Sequence, residues 1–190
     1  MRTLIVCLLA LPLLTGGCDR QSPPKGQAVD NAAAASEASV DNGAAVAGEI
    51  DRSHKGEAAP DASFLDPAGK TVSLADFRGH PVLVNLWATW CAPCVKEMPT
   101  LDTLAGSGAV KVLAVSEDLG GADKVAPFFK EHGFTALQPY LDPRLALSTA
   151  LAANLPTTIL YDATGHEVWR ETGGYDWSGA GAKKLIAEAG

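Results

Sequence analysis

The sequence predicts an α/β domain: a central mixed sheet with helices on both faces and an N-terminal hairpin. Three observations predict it. The apolar runs Pro81 to Leu86 and Val110 to Ser116 lack the alternation of a half-solvated strand, so they read as strands buried on both faces. A segment with helical spacing follows each run. Towards the end of the chain, two strand-like runs are joined by Asp162-Ala163-Thr164-Gly165, and a last helical segment follows.

The elements are justified in chain order. Phe64 to Leu74 reads as a hairpin, because Asp66-Pro67-Ala68-Gly69 is turn chemistry between strand-like flanks. Pro81 to Leu86 is the first buried strand. A helix is expected from Pro93 to Ala105, since proline is favoured at the first helical position, where its missing N–H is not needed. Val95, Met98, Leu101 and Ala105 would share its apolar face. Pro99 should kink it, and Gly106-Ser107-Gly108 should end it. Val110 to Ser116 is the second buried strand, and Asp123 to His132 is a helix closed by Gly133. Arg144 to Ala153 is a third helix. Thr157 to Tyr161 and Glu167 to Arg170 are strands, and Gly179 to Ala189 is the last helix.

The 190 residues divide into three parts. Residues 1–17 read as a lipoprotein-type signal peptide. Arg2 gives a positive start, Leu4 to Leu14 is apolar but too short to span a bilayer, and Leu14-Thr15-Gly16-Gly17-Cys18 supplies small residues before a cysteine. Cys18 is the expected lipidation site, although the position three before it is Thr15 rather than an aliphatic residue. Ordinary cleavage to a soluble periplasmic product is the alternative. Residues 18–59 are rich in Ala, Gly, Ser and acidic residues and contain no aromatic. They cannot bury enough apolar surface to offset chain entropy, so a disordered tether is expected. Residues 60–190 fit one domain. The formal net charge of −7, with no basic cluster, argues against nucleic-acid binding.

The chemistry is concentrated in Trp90-Cys91-Ala92-Pro93-Cys94. Cys7 falls in the signal and Cys18 would carry lipid, which leaves one Cys-x-x-Cys in the body. It stands at a strand-to-helix junction, where free N–H groups and the positive helix end favour a thiolate. A thiolate beside a second thiol attacks a disulfide and is then released by its neighbour, which points to thiol–disulfide exchange. A zinc site wants four ligands; no second cysteine pair exists, and His54, His80, His132 and His166 are scattered. No metal is therefore expected. A purely structural Cys91–Cys94 disulfide would close a very small loop and constrain the unfolded chain little.

These residues carry a family resemblance. Trp90 to Cys94, the following Glu97-Met98-Pro99, the segment Leu155-Pro156-Thr157-Thr158 and the insertion from Leu119 to Leu155 together resemble TlpA/ResA-type membrane-tethered thiol–disulfide oxidoreductases of the thioredoxin superfamily. The resemblance covers residues 60–190 and implies a thioredoxin-like fold with a central helix-containing insertion. Asn85 stands where cytosolic thioredoxins carry a buried aspartate. The resemblance makes Pro156 the fold's cis-proline, and a cis bond there would leave the Leu155 backbone free to pair with an extended substrate segment.

The expected roles follow. Cys91, ahead of the helix, is the nucleophile of a redox-active disulfide with Cys94, which resolves the mixed disulfide. Glu97, one turn beyond Cys94, would exchange a proton with it if buried; a solvated glutamate complementing the helix dipole is the alternative. Trp90, Ala92 and Pro93 would form the apolar rim where a partner docks, whereas Trp87, Trp169 and Trp177 would be packing. No cofactor beyond the dithiol is expected. The resemblance implies a reductase of extracytoplasmic protein disulfides in cytochrome c maturation or copper-site assembly, lipid-anchored on the periplasmic side of a membrane and recharged by a membrane donor of the DsbD/CcdA type. A disulfide-forming oxidase runs the same chemistry in reverse. A copper-binding assembly factor is a third reading, although such factors use Cys-x-x-x-Cys with a distal histidine. The peroxidase pattern, with Pro and Thr before the cysteine, meets Val84 and Ala88 instead.

Overall fold

A computed structural model of the chain describes residues 48–190. The expected signal peptide, Cys18 and the expected tether as far as residue 47 lie outside the described residues. The elements are β1 (Glu49–Asp51), β2 (Ser63–Leu65), β3 (Thr71–Ser73), a 3-10 turn (Leu74–Phe77), β4 (Val82–Trp87), α1 (Ala92–Ser107), β5 (Lys111–Ser116), α2 (Ala122–His132), β6 (Pro139–Leu141), α3 (Ala146–Leu151), β7 (Thr157–Tyr161), β8 (Glu167–Thr172) and α4 (Ala180–Ile186). The strands form one sheet in the order β1-β8-β7-β4-β5-β6-β2-β3.

The two apolar runs form the middle of the sheet. β4 pairs parallel with β5 and antiparallel with β7, and all six of its residues are buried. Alternation assigns its side chains to two cores. Leu83 and Trp87 pack with Met98 and Leu101 of α1, Val125 of α2 and Ala182 and Ile186 of α4. Val82, Val84 and Leu86 pack with Phe64, Tyr140 and Leu147 of α3. The hairpin forms with Phe64 opposite Val72, and β2 joins the sheet through β6.

Four features differ from the sequence reading. The domain begins before residue 60: β1 pairs antiparallel with β8, and Ala58 bridges His166, so residues 48–59 are folded in part rather than tether. Three residues of low apolarity find a place there because the edge of β8 supplies backbone partners. β6 is a short strand that Pro139 disguises; it begins at the proline, where the missing N–H is tolerated. α1 runs two residues past its expected last residue, Ala105, and is capped by Gly108, whose φ of 69° suits the left-handed cap. Its buried face is Cys94, Glu97, Met98, Leu101 and Leu104, while Val95 and Ala105 are only half-buried. The stripe is rotated because the helix buries a carboxylate that hydropathy alone assigns to solvent.

Leu101 is fully buried between α1 and the sheet. Leu101→Ala should lower stability by about 2–5 kcal/mol, as large-to-small core changes do. Leu119→Ala, at a side chain 75% exposed, should change it by less than about 0.5 kcal/mol. Urea unfolding of the oxidised protein distinguishes the two.

Candidate active site

Cys91 is the N-cap residue of α1, and the two cysteines are joined by a disulfide with their Cα atoms 5.3 Å apart. Their environments differ. Cys91 keeps 6% of its surface and Cys94 none. The preceding loop is pinned from two sides. Within it, the Cys91 N–H donates to Ala88 O at 3.1 Å. From outside, the buried Asp118 accepts the Thr89 N–H at 2.9 Å and the Thr89 hydroxyl at 2.7 Å, and the Ser116 hydroxyl at 2.8 Å holds the same carboxylate. α1 therefore starts at a fixed point, with its free N–H groups towards Cys91, which favours negative charge on that sulfur once the disulfide opens.

Trp90 is 70% exposed, and Ala92 and Pro93 are also exposed. The three flank Cys91 in sequence. The Leu155–Pro156 peptide is cis; Pro156 is buried and Leu155 half-buried. Among the described residues no hydrogen bond engages the Leu155 N–H or carbonyl. A surface cleft of about 400 Å³ opens beside the helix start, lined by Pro93, Lys96, Glu97, Thr100 and Gly174 to Asp176.

Glu97 keeps 3% of its surface on the buried face of α1, one turn after Cys94. Three N–H donors hold it. Asn85 Nδ2 donates to Oε1 at 2.8 Å, the Tyr175 N–H to Oε2 at 3.0 Å, and Trp177 Nε1 to Oε2 at 3.3 Å. Asn85 Nδ2 also donates to Thr158 Oγ1 at 2.9 Å. Burial pushes the Glu97 carboxyl up to about 7, against the downward pull of the three donors. The group is thus poised to take or give a proton near neutral pH. Among the described residues no group of three or more His, Cys, Asp or Glu is arranged to hold a metal ion.

Several residues of this neighbourhood escape the sequence reading. Trp177 is core, stacked on Trp169 with centroids 6.1 Å apart, and is also a Glu97 donor. Asp118 looks like a loop acid, yet it is buried as the anchor of Thr89. Glu171 is wholly buried on β8. Its one sequence signal is its phase, two residues after the inward-facing Trp169. Trp87 is packing, against Phe128 and Phe129.

Comparison with known proteins gives a consistent picture. The Redoxin family profile matches residues 54–186. Thiol-disulfide oxidoreductase ResA of Bacillus subtilis is 33% identical over 124 residues, which cover 63% of this chain and 68% of that protein. The thioredoxin-like protein YneN of the same organism is 41% identical over 70 residues, covering 37% of this chain and 41% of YneN. The thioredoxin domain of a thiol-disulfide oxidoreductase from Bacteroides vulgatus superposes with a TM-score of 0.57 at 26% identity, covering 70% of this chain and 97% of that one.

The Glu97 carboxyl ionises near 4.5 in an unfolded chain and near 7 in the folded one. Its raised value means that the stability it contributes is complete below pH 4.5 and is lost as pH rises through about 7. Glu97→Gln replaces one of the two oxygens that the three donors share with an NH2 group, and it cannot ionise. It should destabilise the oxidised protein, and the penalty should narrow by on the order of 3 kcal/mol between pH 4.5 and pH 8. Urea unfolding across that range checks it; a penalty independent of pH would contradict the assignment.

Proposed function

Because the chain belongs to the Redoxin family and is a thiol–disulfide oxidoreductase of the thioredoxin superfamily, similar to ResA, we propose that it reduces protein disulfides outside the cytoplasm through Cys91 and Cys94. The observation that carries the direction of attack is the unequal burial of the pair. Cys91 keeps some surface at the helix start beside the exposed Trp90, whereas Cys94 has none.

In the proposed cycle the Cys91 thiolate attacks one sulfur of a substrate disulfide. That S–S bond breaks, one substrate thiolate leaves, and a mixed disulfide forms on Cys91. Cys94 gives its proton to the Glu97 carboxylate and attacks the Cys91 sulfur. The second substrate thiolate departs, and the Cys91–Cys94 disulfide closes. Two electrons have passed to the substrate. A second dithiol, of the DsbD/CcdA membrane type, must return them, since an oxidising compartment would otherwise leave the protein oxidised. The free Leu155 backbone supports docking of an extended substrate segment, and the rim of Trp90, Ala92 and Pro93 supplies apolar contact. The cleft beside Pro93 extends that surface.

The substrate class proposed is the cysteine pair of apocytochrome c haem sites or of copper-site assembly factors, and the place of action is the periplasmic side of a membrane. The support for that place is in the sequence, where Gly16-Gly17-Cys18 follows an apolar run and would carry a lipid on Cys18. No helix of the described residues is long and apolar enough to cross a membrane.

Cys94→Ser should trap a mixed disulfide between Cys91 and an oxidised Cys-x-x-Cys-His peptide, stable on non-reducing gels and assigned by mass spectrometry. Cys91→Ser should trap none. A peptide held on Cys94 would reverse the roles, and absence of any adduct would defeat the proposal. Trp90→Ala should raise KM for the peptide several-fold with little change in kcat, since a docking contact made equally before and during reaction acts on binding.

A further inference from the structure

A second carboxyl lies beneath the site, and the cycle above does not use it. Glu171 on β8 has no exposed surface, and neither of its oxygens has a hydrogen-bond partner among the described residues. The register of the sheet places it. Asn85 on β4 is opposite Thr158 on β7, and Thr158 is opposite Glu171 on β8. Residues in register share a face, so the three side chains form one row. That face is the one α1 covers, and Asn85 links the row to Glu97.

Backbone closes the outer end of the row. Glu171 is opposite Ile50 of β1. A Cβ placed on Gly48 would overlap Glu171 Oε1, and one on Gly173 would lie 3.6 Å from it. Glycine at position 48 is what lets the chain pass directly over the carboxyl.

Among the described residues no cation faces Glu171. Arg170 is on the opposite face and is taken by Glu167, at 2.6 Å. Glu49 and Asp51 are in register with Thr172 and Arg170, so they also belong to that opposite face. β7 presents Thr158 and β1 presents Ile50. The loop after β8 sends the Tyr175 backbone N–H and the Trp177 indole N–H to Glu97 instead. Lys96 of α1 is exposed at the cleft. The charged group that acts on Glu171 is Glu97: burial first, and then the Glu97 charge, push its carboxyl up to about 8. Two buried carboxyls with no cation between them among the described residues release their protons in separate steps, and Glu97 goes first because three N–H donors hold its carboxylate and none holds that of Glu171.

We infer that Glu171 is a second proton-holding residue of the site, coupled to Glu97, which stays protonated while Glu97 ionises and so limits the buried charge beside Cys94 to one. It is a positioning residue, acting on the thiols through Glu97. Were both carboxylates charged, transfer of the Cys94 proton to Glu97 would leave the new thiolate facing the Glu171 charge, whereas a protonated Glu171 leaves it facing none. The inference rests on the proposed reading of Glu97 as the proton partner of Cys94.

The test is a titration of the oxidised full chain with 13C-labelled glutamate carboxyls, followed by NMR in wild type, Glu97→Gln and Glu171→Gln. The expected wild-type result is a Glu171 step above the Glu97 step. Glu171→Gln should remove the upper step and leave that of Glu97 in place. Glu97→Gln should move the Glu171 step to lower pH, because the charge opposing its ionisation is gone. A Glu171 step unmoved in Glu97→Gln, or one in the ordinary carboxyl range in wild type, would overturn the inference. If Glu171→Gln does not fold, the Glu97→Gln titration decides alone. No turnover is involved. Intact coupling with Cys94→Ser unable to trap peptide would therefore count against the cycle and not against the coupling; lost coupling with normal trapping would do the reverse.

Discussion

The burial of Glu97 under the cysteine pair is the constraint on which the rest of the site depends. Three N–H groups from β4, from the loop after β8 and from the Trp177 indole converge on one carboxyl of α1. Without them a buried carboxylate would be prohibitively costly. With them it is retained, though burial still wins by enough to bring its ionisation to about 7. The same contacts fix how α1 seats on the sheet, so the depth of Cys94 and the proton affinity beside it come from one arrangement. Asn85 suits this position as a donor that neither ionises nor competes for the proton.

A second set of bonds fixes the reactive end. Asp118 reaches from the end of β5 to the backbone and hydroxyl of Thr89, two residues before Cys91. The loop before the thiol pair is thus held from β4 and from the end of β5 together. Rigid support on one side and an exposed indole at Trp90 on the other suit a protein that must present one sulfur to many orientations of a disulfide while keeping the other sheltered.

Much of this is legible in the sequence. The buried strands, the Cys-x-x-Cys at the head of a helix and the hairpin are set by local patterns, and the motifs around them point to the family, whose resemblance in turn marks Pro156 as cis. What escapes depends on the fold bringing distant residues together. β1 forms only because β8 offers an edge. β6 begins on Pro139, a residue that argues against a strand until its position at the strand start is known. The buried face of α1 is rotated because Glu97 turns inward, which hydropathy ranks as improbable. Glu171 and Asp118 look like ordinary surface acids, since nothing near them in sequence shows that Gly48 covers the first and Thr89 bonds the second.

The equilibrium reduction potential of the Cys91–Cys94 pair tests the central claim most directly, by titration of the protein against defined thiol–disulfide buffers. A reductase recharged from the membrane should have a potential near or below the roughly −270 mV of thioredoxin. A value near the roughly −120 mV of a strong oxidant would mean that the dithiol is the favoured form, and the protein would then make disulfides rather than remove them.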